Sequence, residues 1–433
     1  MQKENNSYSD TNATSNLPEG KTGTFSSLLI PNFRILFIGS MLACSTQWIQ
    51  SVIVNWLVYD ITGSGTVLGI VNLVWSLASL LMLLAAGMLV DYYNRRNLIL
   101  LVIAILFVVN LALGLILVYS HANIAYLFIF VLLVGSAQTL DSTTRQVMVF
   151  DVVPRNQTPG ALALTQTGWS VTRVICPSLG GFLIIWFSAG GTFLVQAATY
   201  FLILVIIFQL KLQPRPRDTV RSSPIQNLKD GAGYIIKEPV ARVFIVFSII
   251  MAFLLIPIFF TLPAIYAARV FGDDSGRTLG YLMSAVGVGG IIGGFMVTFL
   301  KRWDRWGIIV MGSFLMLALT LLAFALTSSL PLALVILGLS GFFEIIFLTA
   351  SQTLIQLSIP DQLRGRVTAV VNLNWIVTSL GSLVIGVGSD LIGPQMITII
   401  VTLAGAALGI LVFGISPVAR NYRLSHSIES RQA

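Results

Sequence analysis

Six charged side chains lie within, or at the ends of, long uncharged stretches: Asp91, Asp141, Arg145, Arg173, Glu344 and Arg366. A charge held in hydrocarbon costs at least about 2.5–3.5 kcal/mol, so it is usually paired or functional. A carboxyl taken out of water binds its proton more tightly and can load and release it near neutral pH. Glu344 and Asp141 are therefore candidate proton carriers. Arg173 would tune one of them or bind an anionic part of a ligand. The static alternative is that these are buried pairs holding helices in register. Gln138, Asp141 and Arg145 follow i, i+3, i+7 spacing and share one helical face. Asp141 and Arg145 can pair at i, i+4.

Neutral polar residues form two further stripes. One is Gln47, Gln50, Ser51 and Asn55, flanked by Trp48 and Trp56; the other is Asn372, Asn374, Trp375, Thr378 and Ser379. Such side chains can simply bridge helices, at about 0.6 kcal/mol each. They can also line a mostly apolar, aromatic cavity suited to bulky amphipathic ligands. Other chemistry is poorly served. The two cysteines, Cys44 and Cys176, lie in apolar runs, and His121 and His426 lie outside them. That excludes a disulfide framework or a cysteine metal site. No Gly-x-x-x-x-Gly-Lys-Ser/Thr phosphate loop occurs, so ATP drive is unsupported. No nucleophile–base set stands out, and the expectation is no enzyme, no cofactor and no metal.

The elements that must position these residues are apolar spans. Hydrophobic residues make up 56% of the chain and charged ones 10%, against about 25% in soluble proteins. Crossing a bilayer takes about 20 apolar residues. Twelve runs qualify: 33–59, 66–90, 97–119, 124–149, 160–188, 191–211, 241–268, 277–300, 307–328, 331–357, 366–390 and 393–415. With the amino terminus inside, only Arg269 and Arg277 fall on the outer side and Arg173 within a span; the other basic residues fall inside. Basic residues favour the cytoplasmic side. The excess of 25 Lys and Arg over 17 acids is then a membrane signature, and no nucleic-acid partner is expected. Residues 1–32 read as a disordered cytoplasmic tail, 33–211 as one six-span bundle and 241–415 as a second, with 416–433 a second tail. The linker, 212–240, starts proline-rich and ends in a stretch around Asp230 and Tyr234 that suits a short amphipathic surface helix.

The stretch Gly87-Met88-Leu89-Val90-Asp91-Tyr92-Tyr93-Asn94-Arg95-Arg96-Asn97 joins two spans. Gly87 permits a neighbour to approach closely. Asp91 ends its helix where the dipole disfavours an acid, so it calls for a cationic partner, Arg95 at i+4 or an arginine elsewhere. The halves repeat at an offset of 206 residues: Gln146 and Pro154 fall on Gln352 and Pro360, Gly87 on Gly293, Arg95-Arg96 on Lys301-Arg302, and Gln138 on Glu344. Asp91 falls on Val297, so the second copy lacks the acid. Two parallel halves about an axis along the membrane normal suit a transporter.

Over all twelve spans the chain resembles the major facilitator superfamily. Gly87-x-x-x-Asp91-x-x-x-Arg95-Arg96 is similar to that family's signature between spans two and three, with Tyr92 where a basic residue is usual. Leu57-Val58-Tyr59-Asp60-Ile61-Thr62-Gly63-Ser64 with Leu68-Gly69, Asp151-Val152-Val153-Pro154-Arg155, Asp230-Gly231-x-x-Tyr234-Ile235 with Pro239, and Leu363-Arg364-Gly365-Arg366-Val367 resemble the branch holding macrolide-efflux proteins and the enterobactin exporter. Cys176-Pro177-Ser178-Leu179-Gly180-Gly181 is a variant of the exporters' Gly-Pro-x-x-Gly-Gly, in which Pro177, Gly180 and Gly181 serve packing between the halves; an ordinary kinked, tightly packed span is the plain alternative.

The resemblance implies an all-α fold of twelve transmembrane helices in two bundles, both termini cytoplasmic, in a prokaryotic inner membrane. It implies that the first and eleventh spans line the cavity. It also implies that Asp91 pairs with Arg145 and faces the start of the eleventh span near Arg366, latching an inner gate. The function expected is secondary active export, proton-coupled, of a small amphipathic molecule by a monomer in contact with membrane lipid. Uptake or lipid flipping on the same fold, and a non-transporting sensor or assembly partner, are the other readings.

Overall fold

The computed structural model describes residues 26–417, apart from 121, 155–156, 211–223, 274–275, 301–302, 304 and 360–362; the side chains of 224–228 and 364–365 are likewise outside the description. The expectations for residues 1–25 and 418–433 of the tails, for Arg155, for the proline-rich part of the linker, for Lys301-Arg302 and for Pro360 fall outside the described residues, whereas 26–32, expected in the first tail, hold a 3-10 turn and the start of α1.

Every regular element among the described residues is helical. A short 3-10 turn (Ser26–Leu29) precedes α1 (Pro31–Thr62), α2 (Gly65–Tyr92), α3 (Arg95–Tyr119), α4 (Ile124–Val152) and α5 (Thr158–Phe208). Then come α6 (Pro224–Lys237), α7 (Pro239–Ile250), α8 (Ile256–Arg269), α9 (Arg277–Leu300), α10 (Trp306–Leu326), α11 (Leu330–Leu357), α12 (Arg364–Asn372), α13 (Asn374–Ile392) and α14 (Pro394–Ile415). Local signals set the ends. Proline stands in the first turn of α1, α5, α7, α8, α11 and α14, where its missing N–H costs nothing. Ser64, Asn94 and Asn123 cap α2, α3 and α4 with side-chain oxygens. Gly63, at φ 60°, ends α1 in the left-handed region that glycine enters freely.

Among the described residues, eleven helical segments are long and apolar enough to cross a membrane. One is the 51-residue α5, where the sequence suggests two spans. The backbone stays helical on both sides of Ser188, which alone takes a non-helical conformation (φ 60°, ψ 178°). A five-residue π-helical turn, Met251–Leu255, joins α7 to α8 into one segment, Pro239–Arg269. Large apolar side chains on outer faces stay exposed, Leu81, Trp186 and Phe295 among them, as lipid contact requires.

Helices α1–α5 pack on one another as one half, and α7–α14 as the other. The main cross-half packings are α2 on α13 and α5 on α9. Lipid supplies no hydrophobic drive between helices, so these seams depend on close backbone approach at small residues. Gly181 of α5 lies directly against Gly280 of α9. Gly180 lies instead against Ile49 of α1, inside its own half. On α2, Gly65 and Gly69 face Gly386 and Leu383 of α13.

Both of these cross-half contacts cluster at one end of the bundle, opposite the end that carries Arg95, Arg96 and Arg366. At that basic end no ion pair among the described residues joins the two halves. Arg95 joins Asp151 at 2.6 Å, and Arg366 joins Asp230 of α6 at 2.9 Å. The linker helix α6 is thus bound to α12, with Tyr234 Oη also donating to the Ser358 carbonyl at 2.8 Å. Burial and the nearby Glu238 carboxylate push the Tyr234 hydroxyl up, so it keeps its proton and can donate at neutral pH.

Candidate functional site

The site forms where an arginine from one half meets a glutamate from the other. Arg173 Nη2, on α5, donates to Glu344 Oε1, on α11, at 2.7 Å. Both are largely buried, with side chains 16% and 9% exposed. Each sits mid-helix, so helix rigidity fixes its height. A cavity of about 70 Å³ opens beside the pair, lined by both side chains and by Trp48, Asn55, Phe260 and Met283, among others. Aromatic rings wall it. Trp48 is 5.6 Å from Trp169, 6.1 Å from Trp375 and 6.2 Å from Phe260, centroid to centroid. The Arg173 guanidinium stands 5.8 Å over the Trp48 ring, a cation–π geometry. Asn55 Nδ2 donates across the halves to the Phe260 carbonyl at 3.0 Å. The buried Trp48 Nε1 has no hydrogen-bond partner among the described residues, and it lies on the cavity wall.

Of the residues that the sequence singles out, Trp48, Ser51, Asn55, Arg173, Pro177 and Glu344 line this cavity. The polar and charged residues below sit elsewhere. Gln138 Nε2 donates to Gln50 Oε1 at 3.3 Å, inside the first half. Asp141 accepts both contacts of the Arg145 Nε, at 2.8 and 3.0 Å, on the same helix face. That pair is almost fully buried in the first half and does not touch the cavity, while Arg145 Nη1 and Nη2 find no partner among the described residues. Asn374 Nδ2 donates to Ser248 Oγ at 2.6 Å within the second half. Trp375 joins the aromatic wall from behind, Gln47 is half-buried off the cavity, and Asn372 is exposed at the end of α12.

The expected gate cluster is not assembled in this conformation. Asp91 is exposed and makes no hydrogen bond or ion pair with a described residue. Arg145 is held by Asp141, Arg95 by Asp151, and Arg366 by Asp230. Each arginine has an acid within reach, in its own half or on the linker helix, which competes with Asp91. Arg96 Nη2 donates to the Phe208 carbonyl at 2.7 Å and caps the end of α5. No described residue lies within 4 Å of where a Gly87 side chain would begin, so the close neighbour expected there is not found among them. No motif in the sequence marks Asp390, yet it joins the halves. Its carboxylate, from α13, accepts from the amino-terminal turn of α2 in the other half.

Known proteins share this architecture. The family model described as "Transmembrane secretion effector" matches residues 22–431. The chain is 26% identical over 366 residues to the staphyloferrin A transporter of Staphylococcus aureus, covering 83% of this chain and 90% of that protein. It is 23% identical over 392 residues to the multidrug efflux pump Tap of Mycolicibacterium fortuitum (88% and 94% covered). It is also 23% identical over 392 residues to the enterobactin exporter EntS of Shigella boydii (89% and 90% covered). Among solved structures, a bacterial homologue of the human lysosomal transporter Spinster, inward-facing and unoccupied, superposes with a TM-score of 0.65 at 16% identity over 93% of this chain and 97% of that one. A D-xylose–proton symporter gives 0.68 at 13% identity over 92% and 98%. Such structural likeness at low identity carries the fold. The family match spans nearly the whole chain, and so this multi-pass membrane protein belongs to the transmembrane secretion effectors of the major facilitator superfamily and is a transporter, not an enzyme.

Proposed function

We propose that the protein is a secondary active exporter that moves a small amphipathic molecule by alternating access, coupled to protons at the Arg173–Glu344 pair. The observation that carries this reading is the pair itself: one acid and one base, from opposite halves, meeting beside the cavity. A proton on Glu344 cancels its charge and releases Arg173. The halves then lose a charge-assisted bond worth about 1.5–3 kcal/mol. A proton arriving from outside therefore changes both the site and the contact that ties the halves together. The cavity is smaller than the ~300–1,000 Å³ usual for ligand sites. Substrate accordingly enters by widening it from the end where the halves are less tied.

Twelve crossings fit this scheme. At 1.5 Å per residue α5 would extend about 76 Å, more than twice the roughly 30 Å of hydrocarbon, and Ser188 bends it. Two spans in α5 put both termini on the basic side, which is then cytoplasmic. The basic end is the open one in this conformation, and Asp91 awaits the amino end of α12 for the inward-closed state. The membrane is then the bacterial cytoplasmic membrane and the working unit a monomer.

Two relatives named as an efflux pump and an exporter support the outward direction. The test is an efflux panel of macrolides, siderophores and dyes in a pump-deleted host. At least one class should be expelled, and a protonophore should stop it. Expulsion that ignores the protonophore would remove the proton from the scheme.

A further inference from the structure

Two acids stand four residues after a glycine at the carboxyl end of a helix: Asp91 after Gly87 on α2, and Asp390 after Gly386 on α13. Both placements set an acid against its own helix dipole, and both suit the amino end of another helix. Helices α2 and α13 pack antiparallel across the halves. Gly65 lies on Gly386, Gly69 on Leu383, and Ser76 Oγ donates to the Trp375 carbonyl at 3.4 Å. At the end away from the basic residues, that register delivers Asp390 to the first turn of α2. Asp390 Oδ1 accepts from Gly65 N at 2.9 Å. Its Oδ2 accepts from Thr66 N and Thr66 Oγ1, both at 2.8 Å, and from Ser64 Oγ at 2.7 Å. The α2 cap is therefore supplied by the opposite half, while Ser64's own cap bond, to Val67 N, is long at 3.4 Å. Arg269 braces the joint, donating to the Gly63 carbonyl at 2.9 Å and the Ser389 carbonyl at 3.2 Å. Carried toward the basic end, the same register sets Asp91 opposite the amino end of α12. There, among the described residues, Asp91 is exposed and Gly87 has no neighbour within 4 Å.

We propose that Asp390 and the Ser64–Thr66 turn are the latch of the outer gate, and that this latch alternates with Asp91. Asp390 is seated when the outer end is shut; Asp91 is seated when the inner end is shut. The glycine before each acid lets the partner backbone close on it, which is why Gly386 is covered here and Gly87 is bare. On opening, Asp390 leaves the α2 turn but keeps Arg269 of its own half, 3.4 Å away here, and Ser64 turns back to cap α2 alone. This gives the Thr62-Gly63-Ser64 motif a task that topology alone does not. It goes beyond the reading of the central pair and holds whichever ion drives transport.

The test is a distance measurement in purified protein in nanodiscs. Spin labels go at Ser120→Cys and Ser328→Cys, both exposed at the outer end, with Cys44 and Cys176 replaced by serine. Asp390→Asn should raise the long-to-short population ratio about tenfold or more, because several charge-assisted bonds are lost. Thr66→Val, on the other half, should shift it the same way by less. The double variant should add little to Asp390→Asn, since the two substitutions remove one shared bond, a coupling that a mere folding defect would not produce. Asp91→Asn added to Asp390→Asn should return the ratio toward wild type. Unchanged distances in Asp390→Asn, or effects of Asp390 and Thr66 that simply add, would overturn the latch. No reversal by Asp91→Asn would overturn the alternation.

Discussion

Glu344 and Arg173 are each other's solution to burial. A charge stranded without its partner in a protein interior costs about 3–5 kcal/mol, whereas removing both charges is often close to neutral. Arg173→Gln should therefore lower the unfolding temperature in detergent clearly, and Arg173→Gln/Glu344→Gln should recover most of the loss. A double variant as unstable as the single one would mean that the pair is not what satisfies Glu344. The two residues stand out in the sequence because a charge inside an apolar run has few explanations. Their pairing does not, because α5 and α11 lie in different halves and no spacing rule joins them. The same limit explains Arg95 and Arg366, whose acids are far off in sequence, whereas Arg145 takes Asp141, the i, i+4 partner that spacing offers. Each is recognisable as functional or paired, and each takes an acid of its own half or of the linker helix rather than Asp91.

At the scale of elements, close seams set what can move. Gly181 meets Gly280 backbone to backbone, so Gly181→Val should overpack the outer seam at about 1–3 kcal/mol. The outer label pair should then shift toward the long distance roughly tenfold. An unshifted distribution would remove the α5–α9 seam from the gate. The docked α6 offers a second check. Tyr234→Phe removes one hydrogen bond to the Ser358 carbonyl, a loss of about 0.5–1.5 kcal/mol. Amides of α6 should exchange roughly two- to tenfold faster, read by hydrogen exchange, with α12 protected as before. The Asp230-Gly231-x-x-Tyr234 and Arg364-Gly365-Arg366 stretches are both visible as motifs in the sequence. That the two dock on each other is not, because α6 reaches α12 across more than a hundred residues of chain. The bend at Ser188, by contrast, falls where the sequence ends one span (160–188) and begins the next (191–211), although the backbone stays helical on both sides of it.

For the whole molecule, the two-half plan is legible because the 206-residue repeat reports the architecture directly. The conformational state is not legible. One sequence must encode every state of the cycle, and only coordinates show which latch is closed. The repeat also misleads in one respect. It marks Asp91 as an acid without a counterpart, because its equivalent is Val297. The counterpart to its geometry is Asp390, on a helix the repeat does not align with α2. On the proposed scheme, transport rests on two latches and one central pair that link the halves at three heights. The Asp390 bonds and the Arg173–Glu344 pair are formed here, and Asp91 is exposed.

The central pair can be tested by reconstitution. Proteoliposomes holding an expelled substrate from the panel would be assayed for substrate-driven proton movement across a range of pH, with wild type beside Glu344→Gln. The account predicts proton movement in wild type, and in Glu344→Gln a loss of that movement together with a flattened pH dependence of transport. Transport by Glu344→Gln with unchanged pH dependence and proton movement would contradict it.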